Sequence, residues 1–486
     1  MIETHDAFAP STAALVEVER ACAASAVSWA TLRSLPRLRR AELLRAIAAA
    51  IREDGDTILP LAAEETRLPL RRLSAELERT AAQAELFAAV VSEGSYLEAA
   101  IDHRRDGLPE LRRMQVPLGP VAVFAAGNFP LAFSVMGGDT ASALAAGCSV
   151  VIKTHPDHPR TSRAVLASVH RALRSTGIPS SVVAAVSDPS AGAALVADPR
   201  IAAGGFTGSL AGGRSLFDIA ARRRHPIPFF AEMSSINPVI VAPKAARNDP
   251  EGIGGLLADA ILGSAGQLCT KPGVLLVPED AHELVDVMRR RLEIADAQPM
   301  LSPGIASRFA DRLASWQSER VRPLTSGMVD SNWAATATLA ETTLSDLDGP
   351  VLEEAFGPAA VIARYADLKS VPPVLERMGG QLTTTFHLDR EEIEEVRPLL
   401  AVAEVMSGRV LVGGVPTGVR VGWAMTHGGP YPATTAPSST SVGAAAIGRW
   451  LRPVTWQDAP QELLPDELRD APRHPLPRRV DGRLIA

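Results

Sequence analysis

Covalent chemistry in this chain would most readily begin at a cysteine framed by small residues. The turn Gly263-Ser264-Ala265-Gly266-Gln267-Leu268-Cys269-Thr270 presents Cys269 so that a substrate can come close to its sulfur, in a chain with only 3 cysteines. A cysteine is by default a small buried hydrophobe. A nucleophilic one needs an activated sulfur, a place for an oxyanion and a means of completing turnover. Asn128, in Gly127-Asn128-Phe129-Pro130, can donate its amide to an oxyanion, although an Asn there also serves as a helix cap. Glu232 closes the apolar run Phe229-Phe230-Ala231, where burial would be costly and would raise its pKa toward that of a general base. A strand-end Glu facing solvent is the plain alternative.

Two further features suit a nucleotide. Phe206-Thr207-Gly208-Ser209-Leu210-Ala211-Gly212-Gly213 joins a strand end to a helix start, where free amides can hold a phosphate. Its spacing is not the usual dinucleotide fingerprint. Lys153 ends the apolar run Val150-Val151-Ile152 and is one of only four lysines, with Lys244, Lys271 and Lys369, in a chain whose other cations are arginines.

These residues need a scaffold. Residues 11–91 carry apolar positions at helical spacing, as in Ala41 to Ile51. Residues 96–116 read as an exposed two-stranded ribbon around a turn from Asp102 to Pro109, which needs a partner sheet. From Pro117 to Glu232, apolar strands at 121–124, 150–153, 182–186, 203–206 and 229–232 alternate with helices. This predicts a parallel sheet covered on both faces, with ligands beyond the carboxyl ends of its strands. A second strand-helix series runs from Pro238 to about Thr417. The expected organisation is an α/β cofactor domain of residues 1–95 and 117–232 and a second α/β domain of 233–430 bearing Cys269. Residues 96–116 and 431–460 are expected to form an oligomerisation ribbon and strand, and 461–486 a C-terminal tail that is Pro- and Arg-rich and mobile after Pro472.

Composition narrows the class. At 486 residues, 46% hydrophobic and 21% charged, the chain supports two large domains. No apolar run is long enough for a membrane span, and the acidic start Met1-Ile2-Glu3-Thr4-His5-Asp6 lacks the order of a secretory signal, giving a cytoplasmic expectation. Cys22, Cys148 and Cys269 are few and far apart, which argues against disulfides and against a structural metal site. A net charge of -6 spread along the chain gives no footprint for nucleic acid, and Arg222-Arg223-Arg224 reads as a solvated helix end.

Six blocks in order, Gly127 to Pro130, Val151 to Lys153, Phe206 to Ser209, Ala231-Glu232-Met233-Ser234-Ser235-Ile236-Asn237-Pro238, Gly266 to Cys269 and Glu353-Glu354-Ala355-Phe356-Gly357-Pro358, resemble the aldehyde dehydrogenase superfamily. The segment from Ala125 to Lys153 and His427-Gly428-Gly429-Pro430-Tyr431-Pro432-Ala433-Thr434-Thr435 are similar to its α-ketoglutaric semialdehyde (2,5-dioxovalerate) dehydrogenases. The resemblance implies an aldehyde substrate, NADP or NAD as cofactor, and a homodimer or homotetramer. It assigns Cys269 as the nucleophile, Asn128 with the Cys269 amide as oxyanion donors, and Glu232 as activator of the hydrolytic water. It places Lys153 at the adenosine ribose, Gly208 and Ser209 at the pyrophosphate, Glu354 at the nicotinamide ribose and Phe356 beside the ring. Phe129 is a candidate substrate contact.

Two departures matter. A glutamate that many members place shortly after the Lys153 position is absent from Lys153-Thr154-His155-Pro156-Asp157-His158, so NADP is expected to be accepted, with Lys153 and Arg160 near its phosphate. An arginine expected soon after Thr435 is replaced by Ala436-Pro437-Ser438-Ser439-Thr440, leaving Arg452 as the candidate carboxylate anchor and a less charged or fatty aldehyde as the alternative substrate. A cofactor-free thiol acyltransferase or hydrolase would need a histidine beside Cys269, with His225, His387 and His427 as candidates.

Overall fold

Short strands that are apolar on both faces can be buried only between two layers of helices. The computed structural model describes residues 10–317 and 320–485; the acidic start from Met1 to Asp6, with the leaderless expectation drawn from it, lies outside them. The first sheet has five parallel strands in the order Val183–Val186, Val150–Lys153, Val121–Phe124, Ala203–Thr207 and Phe229–Glu232. Val121 and Val123 face a core built with Leu43, Ile47, Phe87 and Leu144, while Ala122 and Phe124 face Ala14, Val18 and Leu195. Gly205 is bare for a reason: a Cβ there would stand 2.6 Å from Asp139 and 2.9 Å from Trp450. The fully buried Trp450 fills that space and donates Nε1 to Ser142 Oγ at 2.7 Å.

The second sheet runs in the order Arg322–Thr325, Thr338–Thr343, Ala359–Tyr365, Val274–Pro278, Val239–Val241, Gln381–His387 and Ser407–Val412, parallel except for its first strand. Helices Pro250–Leu262 and His282–Glu293 pack on one face through Leu257, Ile261 and Met288. Pro303–Ser315 and Ile393–Met406 cover the other through Phe309 and Leu399. Cys269 sits in the connection between helix Pro250–Leu262 and strand Val274–Pro278.

The ribbon is a hairpin of Ala100–Asp102 and Leu111–Pro117, flanked by Leu451–Gln457. The tail departs from expectation. Rather than trailing freely, Arg478–Val480 adds parallel to Ala100–Asp102, and Arg483–Ile485 completes a five-stranded sheet. Leucines between the prolines make this possible: Leu464, Leu468 and Leu476 bury against Leu97 and Ala99. Arg37 also donates to the carbonyls of His474 and Pro475 at 3.2 and 2.9 Å. Residues 431–441, grouped with the ribbon on sequence, instead lie along the Phe229–Glu232 strand, where Thr434 bridges Glu232. Among the described residues no helix is long and apolar enough to cross a membrane.

Candidate active site

Cys269 is reached through a strained turn. Ser264, Ala265 and Gly266 have φ of 55°, 52° and 64° in succession, and such left-handed positions cost about 1–3 kcal/mol each for residues with side chains. Gly266 cannot be otherwise, since a Cβ would come 2.1 Å from the Gly357 carbonyl. The turn is pinned from its far side by Asn237, which donates Nδ2 to the carbonyls of Cys269 at 2.8 Å and Lys271 at 3.0 Å. Asn237 is in turn fixed by Gln381, whose Oε1 accepts from the amides of Ile236 at 2.7 Å and Asn237 at 3.1 Å and from Ser235 Oγ at 3.0 Å. Asn128 donates Nδ2 to the Gln267 carbonyl at 3.0 Å, which uses one of its two N–H groups and leaves the other for a ligand.

The third participant is His427. Its Nε2 lies 3.5 Å from Cys269 Sγ and 2.9 Å from Glu232 Oε1, and Ser441 donates to Glu232 Oε2 at 2.6 Å. The loop bringing His427 here is hydrogen-bonded to the last strand of the first sheet. The Met233 amide donates to Ala433 at 2.8 Å, and the Thr435 amide to Ala231 at 3.1 Å. Thr440 accepts from the His427 amide at 2.8 Å. Sequence reading had His427 only as one of three unplaced histidines and missed Ser441 and Gln381. The partners are 158 and 195 residues apart along the chain, so no local pattern could have joined them.

Charge in this pocket runs against one expectation. Burial alone would push the Glu232 carboxyl up, but His427, the Ser441 hydroxyl and the Cys269 thiol outweigh it and hold the carboxyl below its ordinary value. The raised pKa inferred from its apolar strand is therefore corrected: Glu232 is buried, yet it is fully partnered. Cys269 moves the other way. Burial first, then the negative charges of Glu232 and Glu354, raise the thiol well above its usual value, with Arg79 opposing. Glu354 is pushed up to about 7, chiefly by burial, against a hydrogen bond from Ser234 and the charge of Lys271.

Cys269, Glu232, Asn128, Phe129, Gly208, Ser209, Glu354 and Phe356 all line one cavity of about 950 Å³, at the upper end of small-molecule sites. Its lining includes the first turn of helix Leu210–Arg222, capped by Ser209, whose Oγ accepts from Gly212 at 3.2 Å. The remaining first-turn amides have no partner within the helix and suit a phosphate. A Cβ on Gly208 would stand 2.7 Å from the Phe206 ring, so the turn needs bare backbone. The residues present thus fit a dinucleotide with an anionic middle. Lys153 is buried at its strand end, behind the cavity wall, and donates Nζ to the Thr154 carbonyl at 2.8 Å. His155, two residues on, lines the cavity, and burial holds its ring down at about 4, hence neutral.

Two candidates fall away. Arg160 is engaged by Glu64 at 2.8 Å and Glu65 at 3.3 Å, which removes it as a free partner for a phosphate. Arg452 lies on the ribbon sheet, opposite Val116, exposed and outside the cavity lining; strand pairing, not the site, dictates its position.

A five-stranded parallel sheet between helices, a second α/β body and a thiol lining a cavity of about 950 Å³ are consistent with a thiol oxidoreductase of the NAD(P) class. Residues 5–407 match the model of the Aldehyde dehydrogenase family. The Alpha-ketoglutaric semialdehyde dehydrogenase 2 of Azospirillum brasilense is 43% identical, over 99% of this chain and 94% of that protein. The Alpha-ketoglutaric semialdehyde dehydrogenase of Acinetobacter baylyi is 39% identical, over 98% and 92%. In fold the chain is similar to glyceraldehyde-3-phosphate dehydrogenase GapN from Methanocaldococcus jannaschii, solved in complex with NADP. There the TM-score is 0.80 at 19% identity, over 91% of this chain and 94% of that one. This chain belongs to the aldehyde dehydrogenase family and is an NAD(P)-dependent aldehyde dehydrogenase.

Proposed function

We propose that the protein oxidises a semialdehyde to the corresponding acid, with 2,5-dioxovalerate giving 2-oxoglutarate as the foremost case. The reading is carried by the Cys269–His427–Glu232 cluster, whose sulfur, nitrogen and oxygen lie within 4.8 Å of one another at the end of the dinucleotide-sized cavity. The names of the two relatives above support the substrate.

The resting thiol is protonated. Its proton passes to Glu232 as sulfur attacks the carbonyl carbon, and the bond being formed draws this otherwise uphill transfer forward. The Nε2–H of His427, released by the neutralised carboxyl, turns to the sulfur. The oxyanion of the thiohemiacetal accepts from the free N–H of Asn128 and from the Cys269 amide. A nicotinamide bound beside Glu354 and Phe356 supplies the hydride acceptor. Cys269 then carries a thioester, and Glu232 gives up the thiol's proton to solvent, takes a second proton from the attacking water, and returns it to the sulfur as the acid departs, restoring the resting thiol and carboxylate. Ser209 and Gly208 hold the pyrophosphate and Glu354 the nicotinamide ribose, while Lys153 reaches the adenosine ribose by turning its ammonium away from the Thr154 carbonyl. No glutamate follows Lys153, so NADP is accepted as well as NAD. Phe129 packs against the substrate.

His427 supplies the histidine that a cofactor-free thiol hydrolase would require. The dinucleotide-sized cavity and the family both favour oxidation. A cytoplasmic homodimer or homotetramer joined through the ribbon sheet completes the proposal. The test is NAD- and NADP-dependent turnover of 2,5-dioxovalerate, succinic semialdehyde, glutaraldehyde and medium-chain alkanals, with Cys269→Ala as control. Cofactor reduction led by 2,5-dioxovalerate is expected. Activity on alkanals alone would move the enzyme to uncharged substrates, and no reduction with any aldehyde would overturn the proposal.

A further inference from the structure

With Arg452 on the ribbon, the carboxylate of a semialdehyde needs another cation near Cys269. Helix Leu70–Glu93 passes behind Phe129 and Phe133, two rings of the cavity wall, and carries Arg72, Glu76 and Arg79. Arg72 is committed: it donates to the Asn128 carbonyl at 2.8 Å and lies over the Phe129 ring. Glu76 is also committed, accepting through Oε1 from the amides of Leu131 at 2.8 Å and Ala132 at 3.0 Å.

Arg79 differs from both. Its guanidinium lies 5.6 Å from the centre of Phe129 and 5.4 Å from that of Phe133; it stands behind these rings rather than on the cavity lining, so a substrate reaches it where the two rings give way. Among the described residues it has neither a hydrogen bond nor an ion pair, and its Nε and Nη2 are buried without a partner. Other cations near the site have hydrogen-bond or ion-pair partners or are exposed, although Arg72 Nη1 and Arg409 Nε are also buried without a partner. Arg409 donates to the carbonyls of Gly418 and Pro416, Arg312 pairs with Glu353, and Arg308 is exposed. A buried guanidinium with idle donors is costly unless an anion arrives to use them. Burial lowers the Arg79 pKa, and the charges of Glu76, Cys269 and Glu232 oppose it. Counting Glu76 as ionised, the helix face still carries one net positive charge.

We propose that Arg79 recognises the carboxylate of the substrate, selecting aldehydes that bear one over neutral aldehydes of the same length. The guanidinium fork gives two parallel donors to a carboxylate, and the rings of Phe129 and Phe133 hold its plane. Arg79 is thus a specificity-determining residue for the oxidation proposed above, and the inference rests on that reading.

The test compares 5-oxopentanoate with pentanal, which share a chain and differ in the carboxylate. The wild type is expected to favour 5-oxopentanoate in kcat/KM. Arg79→Gln is expected to raise KM for 5-oxopentanoate about 10- to 100-fold, the range of a charge-assisted contact, while pentanal kinetics stay within about threefold. Arg79→Lys, which keeps the charge and loses the fork, should fall between. Equal losses on both aldehydes would make Arg79 a stabiliser of the thiolate or the fold and overturn the assignment. So would a wild type that does not favour 5-oxopentanoate over pentanal, a result that needs no variant. Absence of cofactor reduction with either aldehyde would instead overturn the oxidation reading itself, and this inference with it.

Discussion

Glu232 and Glu354 line the same cavity, and their acidities are pushed in opposite directions. Around Glu232 an imidazole, a hydroxyl and a thiol converge, and the carboxyl stays ionised although it is only 3% exposed. Around Glu354 one serine and a more distant lysine cannot offset burial, and the carboxyl titrates at about 7. The difference teaches that burial by itself does not set an acid's role here; the number of donors brought to it does. The thiol region is built to keep charge, whereas the region of Glu354 is built near the point of losing it.

The largest expected effect removes what Glu232 serves. Cys269→Ala should lower turnover by at least about 10⁴-fold, while binding of reduced cofactor, followed by its fluorescence, stays unchanged. Next, Glu232→Gln should reduce kcat by about 10²- to 10⁴-fold. A single burst of reduced cofactor before the stall would place its main work in thioester hydrolysis; a lost burst would place it at the thiol. Glu354→Gln sharpens the comparison from the other side. With Glu354 in its proposed place at the nicotinamide ribose, cofactor KM in the wild type should fall as pH rises through about 7, because a carboxylate accepts from ribose hydroxyls better than a neutral acid, and the variant should flatten that profile.

Stability carries the same sign in reverse. Between the ordinary carboxyl range, near 4.5, and about 7, the folded state holds a proton that the unfolded state has released. Stability should therefore decline as pH rises across that window, and chemical denaturation of Glu354→Gln should lack the slope. Gln381→Ala is the smallest of these changes. It leaves the amides of Ile236 and Asn237 unpaired and should cost about 1–3 kcal/mol in urea unfolding, with a modest loss of kcat as the Cys269 turn loosens.

Much of this was legible in order along the chain. The five strands of the first sheet were visible because short apolar runs between helical stretches admit few other fates; Asn128 and Glu232 were visible because each ends or leaves such a run, and Cys269 because small residues frame it. Relations across the chain were not. The direction of the Glu232 pKa was misread because its partners come from 195 and 209 residues away. Arg452 was assigned by type when its strand register decides its place, and the tail was read from its prolines when its leucines govern it. Arg79 lies in an ordinary helix, where an arginine carries no signal until Phe129 and Phe133 are seen against it.

Trp450 has a consequence for how the molecule comes into being. It sits sealed in the core of the first body, tied to Ser142, with Arg449 beside it paired to Asp139. The ribosome therefore releases the whole cofactor sheet and then the entire second body before the residue that fills the space beneath Gly205 emerges. Until then the early half of the nascent chain carries an open apolar groove, a feature that invites chaperones and delays native closure. Assembly of the Glu232–His427 pair waits for nearly the same moment, so catalytic competence arrives together with completion of the core.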